Sequence, residues 1–388
     1  MRSTDGRSGR YVKQPNRYSA FIPADLPPTP HIQVDGTLQT ALSKADRALG
    51  RLDGSIQTLP DPELFVFMYV RKEAVLSSQI EGTQSSLNDL LEAEARLLSP
   101  KRPNDVGEVI NYVNAMNYGL KRMDDIPVSI RLIKEIHEIL LKNVRGNNMQ
   151  PGEIRTSQNW IGPQGCSLNE ALFIPPPPHE VMQHLGALEN FIHTETDIPP
   201  LIKIGLIHAQ FETIHPFLDG NGRIGRLLIT FLLTNQTKIL IKPVLYLSYY
   251  FKRHRQEYYD RLQDIRDKGA WEEWLTFFLT AVAVVSNEAT DTARAIVSMR
   301  ERHRELVIEK CGRAAGNGLK LLEHLYRQPI LQVGDVSSFL AVSYPAANEI
   351  VNRMVELEIL SEITGNARNR VFQYSPYVRL FSDPVPTG

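Results

Sequence analysis

The chain has 388 residues, which is enough for two or three domains, and its 42% hydrophobic content is ordinary for a globular protein. Lys and Arg number 43 against 44 Asp and Glu, so the net charge of −1 gives no overall attraction to nucleic acid or to membranes. The two cysteines, Cys166 and Cys311, lack CxxC or Cys/His spacing, which argues against a disulfide framework and a zinc site and favours a cytoplasmic location.

The first 36 residues are rich in proline and polar residues, which predicts an extended arm. Residues 37–100 then repeat apolar residues at helical spacing, and the second of their helices stops at Gly82, which places Glu81 at a helix end. Residues 101–286 form the predicted core. Its longest apolar run, 274–285, is shorter than the ~20 residues that a membrane span needs, so we interpret it as a buried helix and expect no membrane contact.

Within the core, residues 152–181 interrupt the helical pattern. Two short β-prone pieces, 155–161 and 171–174, are separated by Gly, Asn and Ser, and a run of prolines then prevents a helix. We predict a small β-hairpin flap here. Helices are expected again at 181–193, 200–211, 249–268 and 271–285, with a nearly all-apolar, central helix after residue 223.

The last hundred residues predict a second unit. A polar helix over 287–309 and a linker up to residue 318 precede it. Residues 319–388 then show three helical patterns followed by two short strands around the sequence GNARNR, which is the order of a winged helix-turn-helix. The predicted fold class is therefore mainly α, with the flap and a C-terminal winged helix.

The stretch at 215–226, HPFLDGNGRIGR, contains the candidate phosphate-binding and catalytic residues. Residues 220–222 stand just before a helix, so their backbone N–H groups can hold phosphate oxygens. Arg223 and Arg226 lie on the first helical turn and can bind further phosphate oxygens, which indicates a polyphosphate.

Two more groups in this stretch complete a reactive site. Asp219 is a hard oxygen ligand of the kind that holds Mg²⁺ together with phosphates and water. His215 is the group that can accept a proton near neutral pH. These parts together indicate nucleotide transfer to a hydroxyl.

The stretch resembles the complete signature of Fic-domain proteins, HxFx(D/E)GNGRxxR. The resemblance implies transfer of AMP from ATP to a Tyr, Thr or Ser hydroxyl of a protein, a helical core with a flap, His215 as general base and Asp219 as the Mg²⁺ ligand. It also implies that ATP is bound by Glu81, Asn159, Trp160, Ile161, Gly162, His215, Asp219, Gly220, Asn221, Gly222, Arg223, Ile224, Gly225, Arg226, Tyr258 and Tyr259. At the position after the tyrosine pair where the family has Asn, this chain has Arg266, so no adenine contact is assigned there.

A second motif resembles the family's inhibitory helix, (S/T)xxxE(G/N). It is SSQIEG, with Ser77 and Glu81 at the fixed positions. The resemblance implies that Glu81 forms a salt bridge with Arg226 and thereby excludes a productive pose of ATP. In some relatives the same glutamate helps to remove AMP from a modified protein, and the sequence leaves that alternative open.

The partners are expectations of the same kind. The flap is expected to dock the target protein, and self-modification of this chain is an open alternative. For the winged helix we favour partner docking or a homodimer, with DNA binding second, because Glu349, Glu356 and Glu358 would repel phosphates. A DNA-binding regulator that only senses nucleotide is the rival function, and the intact His215 favours the enzyme over it.

Overall fold

The computed structural model describes residues 6–15, 18–57, 59, 62–96, 103–163, 165–366 and 368–382. The described part is mainly helical with two small antiparallel sheets. The expected domain boundary between residues 100 and 101 lies outside the described residues. No helix of the described ranges is both long enough and apolar enough to cross a membrane.

Ten α-helices come first along the described residues. They are α1 (Gly36–Gln57), α2 (Pro62–Ile80), α3 (Leu87–Glu94), α4 (Val106–Arg122), α5 (Ile130–Leu140), α6 (Pro178–His193), α7 (Pro200–Ile214), α8 (Asn221–Phe231), α9 (Ser248–Arg253) and α10 (Arg255–Lys268). The expected helix over 249–268 is thus divided at His254, whose ring stacks on Tyr250 at 4.2 Å between centroids.

Two of these helices form the centre of the protein. Every residue of α7 from Leu201 onward is buried except Lys203, and in α8 every residue is buried except Gly222. Helices that are buried on every side require neighbours all around, and α10, α4 and the following helix α11 (Trp271–Lys310) provide them. The loop between α7 and α8, which is the motif, therefore starts and ends in rigid core.

Helix α11 differs from the prediction of two helices. It runs without interruption for 40 residues, and the buried residues Val285, Ser286 and Ala289 carry it across the expected break. This part of the sequence contains neither Gly nor Pro, so nothing local stops the helix. The expected linker is also helical, because a 3₁₀ turn at Gly312–Ala314 leads directly into the next helix.

The N-terminal arm is not simply extended. It forms a hairpin of β1 (Gly9–Lys13) and β2 (Ser19–Pro23), paired from Gly9 opposite Pro23 to Lys13 opposite Ser19. Phe21 of β2 is fully buried, which gives this hairpin an apolar anchor on the main body.

The flap between α5 and α6 has less β-structure than predicted. Within its described residues, one bridge joins Ile161 to Phe173, with backbone hydrogen bonds of 2.8 and 3.1 Å. The Phe21 N–H donates to Ile174 O at 2.9 Å, so β2 of the arm lies along the outer edge of the flap. The flap is therefore ordered mainly by its neighbours.

The C-terminal elements follow α11. They are α12 (Ala315–Leu325), β3 (Ile330–Gln332), α13 (Val333–Leu340), α14 (Tyr344–Glu356), β4 (Ser361–Glu362), β5 (Val371–Gln373) and α15 (Ser375–Arg379), with the strands in the antiparallel order β3-β5-β4. The Tyr374 hydroxyl contacts His303 Nδ1 of α11 at 2.7 Å, and the Phe381 ring packs edge-on against Tyr69 of α2. Buried aromatic contacts thus hold these elements against the core.

Candidate active site

The loop between α7 and α8 turns through two left-handed residues. His215 has φ 49° and ψ 61°, and Gly220 has φ 78° immediately before α8. Glycine adopts this conformation freely, but a histidine does so only where its surroundings hold it. Arg155 provides part of that support, because its Nε donates to His215 O at 2.9 Å.

The centre of the loop is braced by two asparagines. Asn221 accepts from the Phe217 N–H at 2.9 Å and donates to Phe217 O at 2.8 Å. Asn159 of the flap donates to the same carbonyl at 2.7 Å. The buried Phe217 ring lies in the core, so the loop is fixed by both backbone and side chain.

His137 of α5 also supports the loop, a contact that no motif in the sequence indicates. Its Nδ1 accepts from the Gly152 N–H at 2.9 Å, so its Nε2–H donates to Asp219 O at 3.0 Å. Its ring stacks on Phe217 with 3.7 Å between centroids. Burial lowers the pKa of His137 to about 4, which keeps the ring in this neutral form.

The catalytic candidate His215 is also neutral. Burial lowers its pKa to about 3, and the charges of Arg266 and Arg155 act in the same direction. Its Nδ1 lies 3.3 Å from Glu212 O, a carbonyl that can only accept, so the proton is on Nδ1. The lone pair of Nε2 is therefore available to take a proton from a substrate.

The first turn of α8 has the features of an anion site. Its leading backbone N–H groups have no acceptor within the helix, and the Gly220 Cα approaches without a side chain. Arg223 Nη1 donates to Glu108 Oε2 at 3.2 Å, and Nη2 lies 3.6 Å from Asp219 Oδ1. Arg223 Nε is buried and has no acceptor among the described residues, which suits an anionic ligand that would supply one.

Asp219 is suited to a Mg²⁺ that is shared with phosphates. Its side chain is 37% exposed, and its Oδ1 accepts from the Gly220 N–H at 2.6 Å. The described residues contain no cluster of three or more metal-ligating side chains. A single carboxylate beside an anion site fits a Mg²⁺ that takes its other ligands from phosphates and water.

The predicted inhibitory residues converge on Arg226. Its Nη2 donates to Glu81 Oε1 at 2.6 Å and to Ser77 O at 3.0 Å, and its Nε donates to Ser77 Oγ at 2.8 Å. Burial alone would raise the pKa of Glu81, but the charge and hydrogen bond of Arg226 and the charge of Arg223 together outweigh it, and the pKa lies below its ordinary value. A Cβ at Gly222 would collide with Glu81 Oε1, so the carboxylate rests directly on the first turn of α8.

The flap residues border this site unequally. Asn159 holds the loop, whereas Trp160 points outward, is 41% exposed and donates from Nε1 to Cys166 O at 3.0 Å. Ile161 carries the bridge to the other side of the flap. A Cβ at Gly162 would lie 2.6 Å from Cys166 Sγ, so the turn needs a glycine there.

The tyrosine pair is linked to the end of the motif through His208. Tyr258 is buried and its hydroxyl donates to His208 Nε2 at 2.9 Å, while His208 Nδ1–H donates to Gly225 O at 3.0 Å. Tyr259 is partly exposed, with its ring 5.2 Å from that of Tyr258. Ile224 is buried. The adenine role of the pair stays a prediction.

Comparisons with known proteins agree with the geometry. A model described as Fic/DOC family N-terminal matches residues 39–121, and a model described as Fic/DOC family matches residues 127–233. A probable protein adenylyltransferase of Aquifex aeolicus is 32% identical over 177 residues, which are 44% of this chain and 50% of that protein. A protein adenylyltransferase of Caenorhabditis elegans is 30% identical over 162 residues, which are 40% of this chain and 30% of that protein.

This chain thus spans half or less of the length of these two relatives. A crystal structure of a Fic family protein from Desulfovibrio desulfuricans shares the fold, with a TM-score of 0.57 and 18% identity, over 88% of this chain and 97% of that chain. The two family models follow each other along the sequence, and the second includes the loop that holds His215 and Arg226. This chain therefore contains an N-terminal domain and a following domain of the Fic/DOC family, at residues 39–121 and 127–233.

Proposed function

We propose that this chain is a protein adenylyltransferase that moves AMP from ATP to a Tyr, Thr or Ser hydroxyl of a protein and is inhibited by Glu81. The observation that carries the proposal is a neutral His215 beside an anion site whose Arg226 is bound by Glu81. The names of the relatives from Aquifex aeolicus and Caenorhabditis elegans support the same activity.

The reaction follows from the positions of these groups. The target hydroxyl gives its proton to His215 Nε2 while its oxygen forms a bond to the α-phosphorus of ATP. The bond from that phosphorus to the oxygen bridging to the β-phosphorus breaks, and pyrophosphate leaves with the electron pair. The first-turn N–H groups of α8 and the side chains of Arg223 and Arg226 stabilise the charge that develops. Mg²⁺, when bound by Asp219, would add positive charge at the phosphates.

Inhibition follows from competition for one guanidinium. Arg226 is 2% exposed, and among the described residues its hydrogen bonds go to Ser77 of α2 and to Glu81 just after α2. A phosphate that binds Arg226 must displace the Glu81 carboxylate, because both need the space over Gly222. Breaking one side of a buried ion pair costs about 3–5 kcal/mol, and the partial exposure of Glu81 reduces this cost.

For the target, we propose docking along the inner edge of the flap. Leu172 and Trp160 offer apolar side chains that are 60% and 41% exposed. The backbone groups of Trp160 and Gly162 have no hydrogen-bond partner among the described residues, whereas β2 lies on the opposite edge at Ile174. An extended segment of a protein could therefore pair with the inner edge and bring its hydroxyl toward His215.

For the C-terminal elements, we propose a winged-helix unit that docks a partner or a second copy of the chain. The helices α12, α13 and α14 together with the three-stranded antiparallel sheet support this. DNA binding ranks second, because Arg370 donates to Asn348 at 2.8 Å and Arg353 pairs with Glu349 at 3.1 Å. The side chains that would read a groove are thus engaged with one another.

The test is label transfer from ATP carrying radioactive phosphorus in the α-position, followed by intact mass measurement of the labelled protein. Host lysate, Mg²⁺ and four proteins are used: wild type, Glu81→Gly, Glu81→Gln, and Glu81→Gly combined with His215→Ala. We expect label to rise in Glu81→Gly, to rise less in Glu81→Gln, which keeps one acceptor for Arg226, and to vanish without His215.

ATP labelled in the γ-position is the matched control and should label nothing, since pyrophosphate leaves. No α-label in any variant, together with an ATP-dependent change in the fluorescence anisotropy of a DNA duplex, would reject the transferase in favour of the nucleotide sensor. To test AMP removal, labelled target is returned to wild type and to Glu81→Gly. Loss of label with wild type only would establish Glu81-dependent removal of AMP.

A further inference from the structure

Arg266 of α10 is a buried arginine that the reaction scheme above does not use. Its side chain is 5% exposed and points to the carboxyl end of α7. Nη2 donates to Glu212 O at 3.2 Å and Nε donates to Thr213 Oγ1 at 3.2 Å. These acceptors precede His215 by three and two residues, so Arg266 binds the last turn of the helix that delivers the histidine.

The same guanidinium also supports the flap. It lies over the Phe173 ring at 3.7 Å from the centroid, and Phe173 is the residue that pairs with Ile161. A planar guanidinium can stack and donate in its plane at the same time, whereas an ammonium cannot. Arg266 therefore links α10, the end of α7 and the flap through one rigid group.

A second arginine, Arg155 of the flap, also binds the end of α7. Arg155 Nη2 donates to Pro176 O at 2.6 Å and to Ile214 O at 3.4 Å, in addition to the bond from its Nε to His215 O. The backbone carbonyl groups at the end of α7 thus face two buried guanidinium groups, those of Arg266 and Arg155. Cations are favoured at the carboxyl end of a helix, where the last carbonyls need donors.

The charged groups around His215 come from four places. Arg266 of α10 and Arg155 of the flap are cationic and oppose protonation of the ring. Glu212 of α7, with Oε2 4.0 Å from Nδ1, and Glu81 at the end of α2 are the acidic groups. The two arginines reinforce burial, so the ring stays neutral despite the nearby carboxyl groups.

We propose that Arg266 is a positioning residue for the transfer reaction. It fixes the last turn of α7 and the flap relative to each other, so that His215 meets a flap-bound hydroxyl, and it helps to keep the imidazole unprotonated. This inference rests on the proposed function for its effect on turnover. Its effect on the histidine itself does not depend on that function.

The experiment uses the Glu81→Gly protein as parent, because its inhibition is removed. Arg266→Gln removes the positive charge and the planar guanidinium group with its N–H donors, whereas Arg266→Lys keeps the charge. Thr213→Val removes the acceptor of Nε without changing any charge. Arg261→Gln, on the exposed side of α10 where Arg261 pairs with Glu257, is the control variant. Thermal unfolding and ATP affinity are measured for each variant to establish that it is folded.

We expect Arg266→Gln to lower kcat by at least about tenfold with KM for ATP nearly unchanged, because misplacement by ~1 Å can cost 10²-fold. Removing a positive charge makes protonation of His215 easier, so the acid limb of its pH–rate profile should move to higher pH. Arg266→Lys should keep the pH profile of the parent with a reduced kcat. Thr213→Val should also reduce kcat without moving the acid limb.

The readout that is independent of turnover is the NMR titration of the His215 ring in nucleotide-free protein, assigned by comparison with His215→Ala. A larger protonated fraction in Arg266→Gln than in Arg266→Lys at the same pH supports the proposal even if no AMP transfer is found. If Arg266→Gln matches Arg261→Gln in kcat, in pH profile and in the ring titration, the proposal is wrong.

Discussion

Glu81 Oε1 lies 2.6 Å from Arg226 Nη2, although the two residues are 145 positions apart in the sequence. The pair is asymmetric, because the Arg226 side chain is 2% exposed and that of Glu81 is 30% exposed. Solvent and ligands can therefore reach the carboxylate more easily than the guanidinium. Under the proposed function, Glu81 is the partner that moves away and Arg226 is the partner that stays.

The first prediction concerns Ser77, whose hydroxyl accepts from Arg226 Nε at 2.8 Å. Ser77→Ala removes one charged hydrogen bond, worth about 1.5–3 kcal/mol, but leaves Glu81 in place. We expect basal AMP transfer between that of wild type and that of Glu81→Gly, measured as α-label incorporated per minute. Ser129→Ala, which removes a helix cap far from Arg226, is the control. Activity equal to wild type would mean that Ser77 has no part in holding Arg226.

The second prediction is a loss of stability in acid through His137. The unfolded chain takes up this proton near pH 6.5, whereas the fold resists protonation down to about pH 4. The unfolded state therefore binds more protons between these values, and the free energy of unfolding falls as pH is lowered from 6.5 to 4, by roughly 3 kcal/mol from this residue. Urea unfolding of His137→Ala at several pH values should show lower stability at pH 7 but a shallower decline in acid.

His179→Ala is the control for removal of an imidazole, because that side chain is 76% exposed. An identical decline in His137→Ala and wild type would contradict the prediction. Such a result would assign the acid sensitivity to other buried groups.

The third prediction has the opposite sign and concerns Glu73 of α2. Burial raises its pKa to about 7, against the hydrogen bonds from Ser248 and the charge of Arg226. The folded state keeps the proton that the unfolded chain releases near pH 4.5, so stability falls as pH rises from 4.5 to 7. Glu73→Gln removes this cost and keeps an acceptor for Ser248. We expect the variant to gain up to roughly 3 kcal/mol relative to wild type between pH 5 and pH 8.

The measurement is again urea unfolding at both pH values, with the exposed Glu356→Gln as control. A difference between Glu73→Gln and wild type that is the same at pH 5 and pH 8 would show that Glu73 is ionised throughout.

The fourth prediction concerns the arm and the flap. Phe21 is fully buried, its ring lies 6.1 Å from that of Phe173, and its N–H donates to Ile174 O. Phe→Ala changes in a core lower the free energy of unfolding by about 3–5 kcal/mol. Here the lost contacts are those that hold the hairpin of the arm and the flap. Amide hydrogen exchange of Phe21→Ala should therefore accelerate in the flap, with α7 and α8 unchanged. Lys13→Ala on the exposed side of β1 should exchange as wild type does.

The sequence indicated those parts of the candidate site that are contiguous or match a motif, and their roles stay predictions. The loop from His215 to Arg226 and the facing Glu81 belong to this class. The sequence did not predict the contacts of His137, Arg155 and Glu108 with the loop. Each residue reaches the loop from a separate element and forms its bonds to backbone atoms or to another side chain across the core. No local sequence pattern indicates a contact of this kind.

The fold shows the same division. Periodicity predicted where most helices lie, but it placed a break in α11 that the structure does not have, since tertiary packing of Ser286 and Ala289 decides there. The strands of the flap and the hairpin of the arm were misjudged for a related reason. Each depends on a neighbour that is more than a hundred residues away, as the bond from Phe21 to Ile174 shows.

Gly222 limits how this protein can be tuned by mutation. Any side chain at this position would collide with the Glu81 carboxylate. Under the proposed function, it would also fill the volume that a phosphate of ATP needs on the first turn of α8. A substitution here that displaces Glu81 would therefore also damage the proposed ATP site. Substitutions that favour the active protein must therefore be made at Glu81 or Ser77. Changes at these two residues weaken the inhibited state, in which they bind Arg226, without filling the proposed ATP site.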